Sequence, residues 1–171
     1  MPCFKLLKPA LAILLLIIPF RLVAANLPVP EGEVMLVVSG EISVTNVGDT
    51  AQFDRDMLEQ LGPVTIETTT IWTEGMQSFT GVPLARLMTA VGARGGTLSA
   101  TAINDYAVDI PAEDWTDGGP LVTYLRNGET MSVRDKGPLW VIYPYDSNPD
   151  YQTEVIYSRS IWQLDRIIVE E

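Results

Sequence analysis

The chain has 171 residues, 22 acidic and 11 basic, for a formal charge of −11, with one cysteine and no histidine. So acidic a body repels polyanions, and nucleic acid is not expected as a partner, because nucleic-acid binders carry a basic footprint. Without histidine, Ser-His-Asp catalysis and imidazole ligation of zinc or haem are excluded.

The opening stretch MPCFKLLKPALAILLLIIPFRLVAAN places Lys5 and Lys8 ahead of twelve largely apolar residues, Pro9 to Phe20, and ends in small residues, Val23-Ala24-Ala25. That order predicts a secretory signal peptide over residues 1–25. The apolar run is shorter than the roughly 20 residues needed to span a bilayer, so no membrane insertion is expected after cleavage. The lone Cys3 leaves with the signal, which removes thiolate and disulfide chemistry from the exported chain. Losing Lys5, Lys8 and Arg21 from the 11 basic residues leaves 8 against 22 acidic ones, a net charge of −14.

Residues 26–33 are predicted as a Pro-containing linker, and residues 34–171 suit one domain able to bury its own core. Two extended segments are expected at 34–38 and 41–47, the second alternating apolar and polar residues. Asp49-Thr50 then reads as a helix cap ahead of Phe53, Met57, Leu58 and Leu61, with Gly62-Pro63 as the stop. VTIETTTI (64–71) is a strand by β-branching. A second helix is marked by Pro83 in its first turn, by the stripe Leu84, Leu87, Met88 and Val91, and by Gly92 at its end.

The second half reads mostly as strand. TLSATAI (97–103) leads through Asn104-Asp105 into YAVDIP, and LVTYLR faces ETMSV across Asn127-Gly128, a strong hairpin signal. PLWVIYP (138–144) is a buried strand, and SIWQLDRIIVE (160–170) the last one. A strand-rich α+β domain with two short helices follows.

Four separated motifs, IWTEGMQSFTGVPLARLM, AINDYAVDIPAEDW, RNGETMSVRDKGPLWVIYP and RSIWQLDRIIV, resemble in order and spacing the molybdopterin-binding domain of the sulfite-oxidase-type oxidoreductases, in its small exported form. The resemblance covers about residues 34–170 and implies that family's fold. It also implies a molybdenum cofactor held by a cysteine thiolate and by Arg, Lys and His around a phosphate tail, and the exported chain has no such cysteine. It is similar, in that respect, to family members that bind metal-free reduced pterins in the periplasm and relay the signal to an inner-membrane partner, a cyclic-di-GMP enzyme or a kinase. The expected function is therefore a periplasmic pterin receptor. A molybdenum-cofactor-dependent oxidoreductase and a ligand-independent adaptor are the alternatives.

A pterin presents an aromatic face to stack on and an aminopyrimidinone edge that one carboxylate can accept in a fork. Trp72 and Glu74, at a strand end beside Gly75, are candidates for both tasks. Asp105 and Tyr106 begin a strand, although Asp105 reads equally as a turn residue. Arg134 offers a cation to a polar ligand atom or pairs within its own turn. Tyr145 and Asp146 lie where an apolar strand opens into the loop PYDSNPDY, while Tyr143 belongs to the core. Arg159 and Trp162 stand three apart in an expected extended segment, on opposite faces, which puts Arg159 at the rim or in solvent. No metal site is expected: Asp146, Asn148 and Asp150 open like a calcium loop, but Tyr151 and Tyr157 stand where Gly and Glu are required.

Overall fold

The computed structural model describes residues 27–171, so the expected signal peptide lies outside the described residues. In chain order the elements are β1 (Leu36–Gly40), β2 (Ala51–Phe53), α1 (Arg55–Gln60), β3 (Val64–Thr68), β4 (Gln77–Pro83), α2 (Leu84–Val91), β5 (Thr97–Ala102), β6 (Ala107–Pro111), β7 (Leu121–Arg126), β8 (Glu129–Thr130), β9 (Trp140–Ile142), α3 (Glu154–Arg159) and β10 (Leu164–Glu170). One sheet runs β2-β1-β10-β5-β6, with β1 and β10 parallel and the other pairs antiparallel. In the second, β3, β4 and β7 pair antiparallel, and the far edge of β7 carries β9 at Leu121–Thr123 and β8 at Leu125–Arg126. The strand-rich α+β class is the expected one.

The sheets meet beside β9. Val141 N–H donates to the Ile161 carbonyl at 2.8 Å, Leu164 N–H donates to that of Leu139 at 3.0 Å, and Trp140 and Trp162 form an isolated bridge. The chain that leaves this junction becomes β10, at the centre of the first sheet. Between β4 and β7 the approach is close enough that a side chain at Gly81 would run into the Val122 carbonyl, and the register shifts there. Helix α2 buries Leu84, Leu87, Met88 and Val91 as its stripe predicts, each worth about 1.5–3 kcal/mol of burial, and Gly92 closes it in the left-handed region at φ 60°.

Several boundaries differ from the sequence reading. Residues 41–47 are not a strand: Ser43 and Val44 N–H donate to the Val91 carbonyl at the end of α2, and the Asn46 side chain bonds Gln52 and the Pro28 carbonyl. The helix expected from Asp49-Thr50 starts later. Ala51 and Phe53 are buried in β2 against β1, and the cap is Asp54, whose Oδ1 accepts from Met57 N–H at 2.9 Å. The 64–71 strand stops at Thr68, where Thr69 is taken by Asp146, and the expected 160–170 strand begins only at Leu164. Strand β4 and helix α3 escaped the reading altogether. The residues read as a linker are fastened from Leu27 onward: Leu27 packs on the core, and Glu31 and Gly32 N–H both donate to Asp54 Oδ2 at 2.9 Å.

Asp54 thus joins the N-terminal segment to α1. The Gly32 N–H, helped by those of Met57 and Glu31, holds its carboxyl below the usual value of 3.8, against burial, which pushes the other way. Asp54→Ala is expected to lower the unfolding free energy by about 2–3 kcal/mol in urea denaturation at neutral pH. Because the folded-state value is depressed, this contribution is complete above 3.8 and is lost as the pH falls through the folded value, so wild type and variant should converge in acid.

Candidate functional site

The junction of the sheets is aromatic. Trp140 is fully buried on β9, where Thr123 Oγ donates to its carbonyl at 2.7 Å. Trp72, in the turn after β3, meets Trp140 edge-on with ring centroids 5.7 Å apart, Tyr157 and Trp162 at 5.8 Å each, and Tyr145 at 6.3 Å. Such edge-to-face pairs add about 0.5–1.5 kcal/mol each beyond burial and hold the rings at fixed angles. One side of the cluster stays open, as a cleft of about 380 Å³ lined by Trp72, Ala102, Asn104, Tyr106, Tyr157, Ser158, Ser160, Ile161 and Trp162. The volume lies within the roughly 300–1,000 Å³ of small-molecule sites. Tyr106 is 56% exposed and Trp162 39%, so a ligand can reach both rings.

Two backbone pieces form the walls. Helix α3 starts where Thr153 Oγ accepts from Ile156 N–H at 3.3 Å, and it brings Tyr157 and Ser158 to the cleft. At its end the buried Ser160 Oγ donates to the Ile156 carbonyl at 2.8 Å and accepts from the Tyr145 hydroxyl at 2.6 Å, while the Ser160 carbonyl accepts from the Trp140 indole N–H at 3.1 Å. Burial pushes the Tyr145 phenol up, which keeps it the donor. Opposite, the turn from Ala102 to Tyr106 is closed by Asp105 N–H to the Ala102 carbonyl, with Asp105 left-handed at φ 65°, and by Tyr106 N–H to Asn104 Oδ1 at 3.2 Å. Behind Trp162, Lys136 Nζ lies 4.9 Å from the ring centroid, and its carbonyl accepts from Gln163 N–H at 3.0 Å. Lys136 and Gln163 both take positive φ, 73° and 55°. Two such residues bonded to each other behind Trp162 hold local backbone strain.

Of the eight residues singled out in the sequence, Trp72 and Tyr106 line the cleft, and Tyr145 stands behind its wall with its hydroxyl already engaged. The other five point their chemistry elsewhere. Glu74 is exposed in the turn after Trp72 and is not among the lining residues. Asp105 is exposed and pairs with Arg166. Arg134 is exposed on a short 3₁₀ turn, Val133–Asp135. Asp146 accepts from the N–H and hydroxyl of Thr69 at 2.6 and 2.8 Å, which hold its carboxyl below the ordinary range, so both oxygens tie the end of β3 to the loop after β9. Arg159 is not in an extended segment but ends α3, where its guanidinium donates to Asp114 Oδ2 at 2.8 Å. The same oxygen accepts from Tyr143, which is fully buried as expected. Arg159 and Trp162 do not alternate across a strand, because the chain there is helical to Arg159 and then bridged at Trp162.

Asn104, Tyr157 and Ser158 were not singled out as ligand contacts in the sequence, and Trp162 entered only as the residue opposite Arg159. Thr153-Glu154 ahead of Val155 and Ile156 is a cap signal for α3, but six residues are too few for a periodic stripe. A larger cleft of about 470 Å³ between the N-terminal segment, α1 and β10 has Glu33, Asp54, Arg55, Asp56 and Asp165 as its charged lining and no aromatic wall.

No family model and no curated protein matches the chain. Among solved structures it is similar to the sulfane dehydrogenase SoxCD from Paracoccus pantotrophus, with a TM-score of 0.58 and 17% sequence identity, over 79% of this chain and 37% of that one. The two share a fold. At this identity the likeness concerns the fold alone, and the chain spans little more than a third of the dehydrogenase chain.

The donor set does not fit the metal-bearing cofactor that the sequence resemblance implies. The only cysteine precedes the described residues, histidine is absent, and among the described residues no three metal-capable side chains cluster. The cleft lining has no charged side chain to pair with a phosphate tail. What it offers is ring faces with a few neutral polar groups.

The Arg159, Asp114 and Tyr143 group fastens α3 to the β6–β7 connection, and its carboxylate side chain is only 10% exposed. Arg159→Met is expected to cost about 1–3 kcal/mol in urea unfolding by leaving Asp114 half-paired. A double-mutant cycle with Tyr143→Phe should show coupling above about 0.5 kcal/mol.

Proposed function

We propose that this domain is a ligand-binding module that takes a metal-free reduced pterin in the cleft at Trp72, and that it acts in the periplasm as a receptor for an inner-membrane signalling partner. The observation that carries this reading is the aromatic cleft itself: four rings, Trp72, Tyr106, Tyr157 and Trp162, around a volume suited to a bicyclic heterocycle. The fold shared with a sulfane dehydrogenase is the one that the sequence resemblance implies. The lack of thiolate and imidazole in residues 27–171 speaks for binding rather than redox catalysis. In a receptor the ligand shifts the population of a docking-competent state by binding it better than the other. The segments flanking the cleft, at 72–75 and 145–151, are the surfaces through which a partner would read that shift.

Fluorescence titration tests the ligand class. Two of the four tryptophans line the cleft, so tetrahydropterin should change the emission saturably in the wild type. Trp72→Ala should weaken binding by about tenfold or more, as expected for loss of a stacking ring, while Trp115→Phe, outside the cleft, leaves it unchanged. No response, together with no pterin released from protein purified from the periplasm, would sink the reading. Stoichiometric molybdenum in that protein would replace it with an oxidoreductase.

A further inference from the structure

The hydrogen-bonding capacity left over in the cleft specifies which edge of a ring it reads. Every side chain lining it is neutral. The two serine hydroxyls have already given their protons to helix carbonyls, Ser158 to Val155 at 2.6 Å and Ser160 to Ile156 at 2.8 Å. Asn104 Oδ1 already accepts from Tyr106 N–H at 3.2 Å, while both protons of its Nδ2 are unspent. The hydroxyls of Tyr106 and Tyr157 have no partner among the described residues, and a phenol donates readily to a carbonyl. No carboxylate lines the cleft, so nothing in it accepts two parallel N–H groups in a fork. The charged residues beside the lining are already paired, Asp105 with Arg166 and Arg159 with Asp114, and Lys136 stands as a cation over Trp162.

We propose that the cleft reads its ligand through ring acceptors, with Asn104 Nδ2 and the Tyr106 and Tyr157 hydroxyls donating to carbonyl oxygens and ring nitrogens. The ligand class is then a flat, neutral oxo-heterocycle whose carbonyl edge points inward and whose amino group, where it has one, is left to water. This rests on the ring-binding reading above and narrows it. A pteridine-2,4-dione, in which a second carbonyl replaces the pterin's amino group and N1 carries a proton, offers the same donors two carbonyl oxygens and no exocyclic amine. Asn104 is the residue that sets the preference, because it sits on a turn closed by backbone bonds and by the Asp105–Arg166 pair rather than by its own amide nitrogen.

The test is isothermal titration of the purified protein, under nitrogen, with tetrahydropterin and with tetrahydrolumazine, its 2,4-dione counterpart. The dione is expected to bind at least as tightly as the pterin. Asn104→Asp keeps the oxygen that accepts from Tyr106 N–H and turns the free donor into an acceptor, so the affinity ratio should move by about tenfold toward the pterin. Asn104→Leu should weaken the dione by about tenfold, with an unchanged thermal melt showing that the fold is intact. A wild type that prefers the pterin about tenfold or more, or a ratio that Asn104→Asp leaves in place, overturns this inference while the ring-binding reading stands. Binding of neither compound removes that reading and this inference together.

Discussion

The cleft depends on Ser160. This one residue receives the Trp140 indole N–H on its carbonyl and the Tyr145 hydroxyl on its side chain, and its own hydroxyl closes the last turn of α3. Two buried aromatic residues with polar tips would each cost free energy if those tips lacked partners, since an unpaired buried donor loses its water without compensation. Satisfying both at one residue ties β9, the loop after it and α3 into a single wall, so that Trp72 packs against fixed rings. The open side of the cleft is therefore preorganised, which reduces the entropy a ligand must remove on binding.

Charge is organised in the opposite way. The acidic excess lies outside the aromatic cluster: Asp54 holds the N-terminal segment and α1, Asp146 holds Thr69, Asp114 holds Tyr143 and Arg159, and Asp105 pairs with Arg166. Carboxylates that look in the sequence like ligand groups are here the clamps that set loop geometry. They act at a distance, by fixing the turns that present Asn104, Tyr106 and Trp72 to the cleft. A domain with a strong negative charge thus keeps a cleft lined by neutral side chains.

The legible parts of the structure were those with local causes. The α2 stripe, its left-handed Gly92, the Asn127-Gly128 hairpin and the buried β9 run each follow from residue type within a few positions, and each is found. The order of the four motifs pointed to the α+β fold shared with the sulfane dehydrogenase. Boundaries set by distant partners were missed. Residues 41–47 alternate like a strand but give their N–H groups to the end of α2, and Phe53 has helical spacing yet pairs with Leu36 across β1 and β2. Of the residues that line the cleft, Trp72 and Tyr106 were legible in the sequence because a large aromatic residue at a strand end is a local oddity.

By itself, the sequence determined the chemistry that is absent: with no histidine, and its one cysteine ahead of the domain, it has no thiolate or imidazole ligand to offer, and that needs no coordinates. It also determined that aromatic rings would stand at strand ends. Only the tertiary structure decided which of those rings share a cleft and which carboxylates are already spoken for. Hydrogen-bond capacity is consumed pairwise between residues far apart in the chain, Thr69 with Asp146 and Asp114 with Arg159. A side chain's availability to a ligand is what remains after that pairing, and it appears only once the chain is folded.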